Sequence, residues 1–190
     1  MPITYFVNEE NKIKYNTEED VENIICYVYN VCKTTYDDIR QGHGLGDFVG
    51  CSCFFGTSEQ ALLAEYIISQ MLINNRMYGK IEGDLIKHRI ISFSRFDCVT
   101  PYEAFGLAKY IANAYGEQYI TAYGIHLDTN NIHIHLAIDT ISWVDGKRFS
   151  ISYEKKWINS MIWGWEKARE KIFENDGKEW DKKLRYYGEC

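Results

Sequence analysis

The stretch His126-Leu-Asp-Thr-Asn-Asn-Ile-His133-Ile-His135-Leu-Ala-Ile-Asp139 decides how the chain folds. From residue 132 it alternates strictly: Ile132, Ile134, Leu136 and Ile138 fall on one side, and His133, His135, Ala137 and Asp139 on the other. A period of two marks a half-buried β-strand. Two imidazoles at i and i+2 leave the same face of a strand about 6–7 Å apart, a separation suited to joint coordination of one metal ion. His126, at the end of the preceding apolar run, can supply a third nitrogen. Asp128 can fix the second ring nitrogen of a ligand histidine or bind the metal itself. An isolated His-x-His is weak evidence, because strand histidines are often only packed or solvated; the third histidine and the carboxylate strengthen the metal reading.

Working outward, residues 3–7 and 12–15 flank a polar turn and read as a short hairpin. Thr17-Glu-Glu-Asp20 reads as a helix start, with Val21, Ile24, Ile25 and Val28 following at helical spacing. Arg40-Gln-Gly-His-Gly-Leu-Gly46 lacks the context of a phosphate loop and reads as a connection. Residues 48–55 read as a strand, and Ser58 as the cap of a helix running to about Met77. Residues 85–93 read as a strand. Thr100-Pro-Tyr-Glu103 begins a helix ending at Gly116. Residues 118–126 and 132–142 are strands joined by a polar loop, Asp145-Gly146 marks a turn, and the tail from about Tyr153 is helical. The fold class is therefore α+β: a central antiparallel β-sheet with helices packed on one face, the histidine side of the 132–138 strand facing the open surface. Residues 1–152 form the main domain and 153–190 a helical extension of it.

The 190 residues suffice for one core, and no apolar run reaches membrane-span length. The six cysteines lack zinc-type spacing, which points to reduced thiols in the cytoplasm. Net charge is −6, which argues against a general nucleic-acid binder. From Asp145 onward eleven Lys or Arg face nine Asp or Glu, leaving the first 144 residues with ten against eighteen; the acidic balance belongs to that earlier part.

His126-x-Asp128 followed by His133-x-His135 and an apolar strand resembles the third motif of relaxases, the mobilisation nucleases of the HUH endonuclease superfamily, most closely the MobA/MobL-like, P-type branch. Trp143-Val-Asp-Gly-Lys-Arg-Phe149 resembles the hairpin after that motif. His88-Arg-Ile-Ile-Ser-Phe93, with Thr100-Pro101 and its helix, resembles the elements before it. Ile25-Cys-Tyr27-Val-Tyr-Asn-Val-Cys-Lys33-Thr34 resembles the first motif, where a tyrosine lies six residues before Lys-Thr. In order and spacing the resemblance covers roughly residues 20–150.

The resemblance implies a fold and a reaction. The fold is the palm-type sheet of HUH relaxases. The reaction is strand- and site-specific nicking and religation of DNA at an origin of transfer, through a covalent 5′-phosphotyrosine. It maps His126, His133 and His135 to metal ligands, Asp128 to the carboxylate beside them, and Tyr27 to the nucleophile. Tyr29 is the runner-up nucleophile and Tyr36 a distant third. Tyr29, Lys33, Thr34, His88 and Asp139 are candidates for DNA-binding or supporting roles. The cofactor is a divalent cation, Mn2+ or Mg2+; imidazole ligands suit manganese better than magnesium. The partners implied are single-stranded or hairpin origin DNA, with a relaxosome accessory protein and a coupling protein, and no membrane. Asn131 and Asp139 depart from the family, which often carries histidine and asparagine there. A rolling-circle replication initiator uses the same chemistry but usually places its tyrosine downstream; Tyr186-Tyr187 is such a pair without its motif. A non-catalytic DNA-binding accessory protein on the same fold is the third reading.

Overall fold

A computed structural model describes residues 2–11, 13–34, 48–53 and 55–187, with side chains of the last helix described to residue 171. In chain order the elements are β1 (Ile3–Phe6), α1 (Val7–Glu10), α2 (Glu18–Val28), α3 (Val31–Thr34), β2 (Val49–Ser52), α4 (Ala64–Met77), β3 (Ile86–Phe93), α5 (Pro101–Gly116), β4 (Thr121–His126), β5 (Ile132–Asp139) and α6 (Glu154–Tyr187). Two compact units result: Met1–Ile151, holding the sheet and α1–α5, and Ser152–Cys190, holding α6. No helix among the described residues is long and apolar enough to cross a membrane.

The alternating strand is the centre of the sheet. Its order is β1-β3-β5-β4-β2 and every neighbouring pair is antiparallel. The α+β class read from the sequence holds, and α1, α2, α3 and α5 all contact strands. α5 begins where expected, with a reciprocal capping box between Thr100 and Glu103 and Pro101 in the first turn. It lies on the isoleucine side: its Phe105 ring meets Tyr123, which pairs with Leu136, and its Asn113 Oδ1 accepts from Ser52 Oγ at 3.1 Å.

A second layer covers part of the other side. Val21, Ile25 and Val28 of α2 and Ile67 and Met71 of α4 pack with Ile86, Ala122 and Ala137, the small and apolar residues at the far end of the histidine side. The sequence reading has that side open; instead α2 and α4 cover part of it. The last turn of α2 reaches the end that holds the histidines, with Tyr27 against His126 and His135.

Several boundaries differ from the sequence reading: β4 begins at Thr121 rather than 118 and β5 ends at Asp139 rather than 142, and three differences are larger. β1 has no hairpin partner among the described residues; it pairs instead with β3, and α1 follows it directly. That edge is held by Arg89, which is fully buried, carries its guanidinium 4.0 Å over the Phe6 ring, and donates to both carboxylate oxygens of Glu9. Residues 58–63 do not begin α4. Thr57 and Gln60 exchange backbone–side-chain hydrogen bonds and close a 3-10 turn over Gln60–Leu62 instead. The strand expected to reach residue 55 ends at Ser52, where Cys53 turns to φ 59°. The glycine-rich segment around His43, and Tyr36, lie outside the described residues, as do the side chains of Tyr186 and Tyr187.

Candidate active site

The site is assembled at one end of β4 and β5. His126 and His133 face each other across the two strands, and His135 lies two residues further along β5. The ring centroids of His126 and His135 are 4.0 Å apart, and those of His133 and His135 are 6.1 Å apart. His126 and His135 are buried, with 1% and 3% of their surface exposed, while His133 is half-buried.

α2 delivers the tyrosine. Its start is fixed by a capping box between Thr17 and Asp20, and its apolar stripe buries Val21, Ile25 and Val28. Tyr27, off that stripe, is 39% exposed and stands over the histidines, its ring centroid 4.9 Å from His126 and 5.3 Å from His135. Gly124 of β4 makes this possible: a Cβ there would lie 2.2 Å from the Val28 carbonyl oxygen, so only glycine lets the end of α2 settle on the strand. The same Val28 carbonyl lies 3.3 Å from His126 Nε2.

Lys33 and Asp128 complete the group. Leu127 N–H donates to the Lys33 carbonyl at 2.7 Å, tying α3 to the loop after β4. The Lys33 ammonium then lies 3.2 Å from Asp128 and 4.6 Å from the Tyr27 ring centroid. Partial burial works against each charge, but the pairing outweighs it: the Asp128 carboxyl is held below its ordinary range and the Lys33 amine above it. Burial, as the largest cause, pushes the titration of His126, His133 and His135 down; close imidazoles add to this for His135, and the Lys33 charge for all three. His88 is pushed down to about 4 by burial and by the charges of His126 and Arg89. These imidazoles are neutral at pH 7. His126, His133 and His135 share a cavity of about 270 Å³ with Tyr5, Tyr27, Lys33 and Asp128, whereas a larger one of about 640 Å³ lies at the opposite end of β3 around Lys14, Asp84 and Arg148.

The donor set fits a divalent cation in its chemistry. All three rings are neutral, and each has a nitrogen with a neighbour: Val28 O for His126, His88 Nε2 at 3.0 Å for His135 Nδ1, and Thr129 Oγ1 at 3.3 Å for His133 Nδ1. As the side chains stand, no group of three or more His, Cys, Asp or Glu among the described residues converges closely enough to hold a metal ion. His133 is the ring that stands off.

Of the other candidates, His88 is brought to the cluster, buried against His135. Thr34 is near in sequence but fully buried, its hydroxyl donating to the Asn30 carbonyl. Tyr29 and Asp139 are corrected. α2 ends at Val28, so Tyr29 turns into the core, only 7% exposed, where its hydroxyl donates to the Gly50 carbonyl at 2.8 Å and Ala61 at 3.1 Å. Burial raises its phenol well above 10, and it is not placed as a nucleophile. Asp139 shares the histidine side but at the covered end, wholly buried under α4. It accepts from Asn74 Nδ2 at 2.8 Å and Ile141 N–H at 3.0 Å, and does not face the cavity. Tyr5, Ile90 and Thr129 are cavity residues that the sequence reading missed; the signal for Tyr5 is an aromatic on the exposed side of an edge strand.

The family model of the relaxases, MobA/VirD2-like, nuclease domain, matches residues 53–170, more than half of the chain. The chain belongs to this family. It is thus an HUH-type DNA-nicking enzyme of conjugative transfer or mobilisation, in a family that is generally metal-dependent and acts on DNA at an origin of transfer. The matched residues include His88, His126, Asp128, His133 and His135, and begin after Tyr27. Among solved structures, this relaxase is similar to a chain from work on the molecular basis of vancomycin resistance transfer in Staphylococcus aureus, at 16% identity, 93% coverage of each chain and a TM-score of 0.49. No curated protein matches it.

Proposed function

We propose that this relaxase nicks and religates one DNA strand at an origin of transfer with Tyr27 as its nucleophile. The observation that carries the reading is the position of Tyr27, exposed to solvent yet within 4.9 Å and 5.3 Å, ring to ring, of two neutral buried histidines. The Tyr27 phenolic oxygen attacks the scissile phosphorus, and the P–O3′ bond breaks as the Oη–P bond forms. The 5′ end stays on the protein as a phosphotyrosine, and the 3′ oxygen leaves, takes up a proton and becomes a free hydroxyl. Attack by that hydroxyl reverses the step, which splits one hard reaction into two reversible ones. The role of proton acceptor falls to Asp128, with the Lys33 ammonium 3.2 Å from its carboxylate and 4.6 Å from the Tyr27 ring centroid, where its charge faces the phosphate. When bound at His126, His133 and His135, a divalent cation, Mn2+ or Mg2+, supplies charge neutralisation at the phosphate. This reading places the chain in the cytoplasm, with relaxosome accessory and coupling proteins as its protein partners.

The test uses single-stranded oligonucleotides tiling the mobile element that carries the gene, with Mn2+, read on denaturing gels. The wild-type protein is expected to form a covalent adduct and Tyr27→Phe none, while Tyr27→Phe still binds the same oligonucleotide. An adduct with Tyr27→Phe would remove Tyr27 from the role, and binding with no adduct by the wild type would favour a non-catalytic protein.

A further inference from the structure

β1 is an edge strand whose exposed side carries Ile3 and Tyr5, 56% and 41% exposed. An exposed apolar row on a sheet edge is a liability that proteins usually remove with charge, so its presence calls for an occupant. The register says where the row leads. Tyr5 pairs with Ile90, and Ile90 with His135; Ile3 pairs with Ser92, and Ser92 with His133. Directly opposed residues share a face, so Ile3 and Tyr5 continue the histidine face outward across β3 to the sheet edge. Tyr5 and Ile90 line the same cavity as Tyr27, Lys33 and the three histidines. Two strand spacings separate β1 from β5, about 10 Å, within the reach of one or two nucleotides from a phosphate over the histidines.

We propose that Ile3 and Tyr5 form a stacking platform for a base of single-stranded DNA, one or two nucleotides from the phosphate attacked. The inference rests on the nicking reading above and adds the residue that holds the strand beside it. Every base has a π-face, so an aromatic ring next to an aliphatic side chain takes a base whatever its identity. The acidic balance of the chain strengthens the case: with a net charge of −6, long-range attraction for phosphate is weak, and stacking has to supply more of the affinity. Tyr5, Ile90 and His135 stand in register across β1, β3 and β5, so a base on the platform sets the direction in which the DNA leaves the site.

The experiment uses the full chain carrying Tyr27→Phe, so that binding is read without cleavage, and a dT20 oligonucleotide substituted with 5-iodo-2′-deoxyuridine, at low salt. Irradiation is expected to cross-link the peptide containing Tyr5. Tyr5→Ala is expected to weaken dT20 binding by fluorescence anisotropy at least about fivefold, with the same urea melting curve, and Tyr5→Phe to restore it. Cross-links confined to other peptides, or unchanged affinity in Tyr5→Ala, would overturn the platform while leaving nicking by Tyr27 intact. A parent protein that binds no DNA at all would overturn both.

Discussion

Gly124→Ala is the most informative single substitution, because it moves the proposed nucleophile, Tyr27, without touching it. A Cβ at residue 124 would lie 2.2 Å from Val28 O and 3.2 Å from both Val28 C and Cγ1, against ordinary contact from 3.4 Å. The first atom is backbone, so no rotamer relieves the clash; α2 has to lift by about 1 Å at its last turn. Overpacking of this kind costs about 1–3 kcal/mol. Val28 is the next residue after Tyr27, so the phenol moves with it, and displacement of a reacting group by about 1 Å costs on the order of 10²-fold in rate. The expected result is a modest loss in urea stability, with adduct formation slowed far beyond what that loss explains at temperatures where the protein stays folded. Gly106→Ala is the control: nothing lies within 4 Å of a Cβ there, and mid-helix alanine is expected to stabilise by about 0.5–1 kcal/mol with no change in rate. A Gly124→Ala protein that forms adduct at the wild-type rate would refute the argument that this close approach positions Tyr27.

Two further outcomes separate the tyrosine and carboxylate assignments. Tyr29→Phe removes the phenol donor from the buried Gly50 carbonyl and the partly buried Ala61 carbonyl and is expected to cost about 1–3 kcal/mol in denaturant melts, yet to form adduct whenever folded; loss of adduct from the folded protein would reopen Tyr29 as the nucleophile. Burial pushes the Asp139 carboxyl up to about 7, despite hydrogen bonds from Ile141 and Asn74 that pull the other way. The native state then holds a proton that the unfolded chain releases near 4, so this group's contribution to stability falls as pH rises from about 4 to 7. Asp139→Asn is expected to remove that component. The depressed histidines contribute the opposite slope, with stability lost as pH falls below about 6.5, but they do so equally in both proteins. Wild-type stability relative to Asp139→Asn should therefore rise as pH falls from about 7 to 4, and a constant difference would contradict the buried-acid assignment.

Much of this was legible in the chain because it was written in local patterns. The period of two at 132–139 placed β5, and the Thr100–Glu103 capping box placed α5 to its last residue. Tyr27 was marked only by the resemblance of its stretch to the relaxase first motif, and the structure sets it beside His126 and His135. What local pattern could not carry was which side chains a distant element would cover. Asp139 alternates with the histidines as regularly as His135 does, but α4 covers that end of the face and takes the carboxylate into the core. Tyr29 is two residues from Tyr27, and only the end of α2 at Val28 sends one ring to solvent and the other inward. The first strand reads as half of a hairpin because its partner, β3, lies some eighty residues away.

The pairing of Arg89 with Glu9 has a consequence for the whole N-terminal edge. A guanidinium with no exposed surface sits inside the sheet, and its carboxylate is supplied by a four-residue helix on the outside. The first ten residues thus behave as a latch rather than as trim. Peeling them away would cost the buried Arg89 guanidinium its bonds to both Glu9 carboxylate oxygens and its contact with the Phe6 ring. Because Tyr5 rides on the latched strand, an edge that would otherwise fray is held rigid beside the chemistry, and changes at Glu9, remote from every histidine, should be felt first as a loosened grip on DNA.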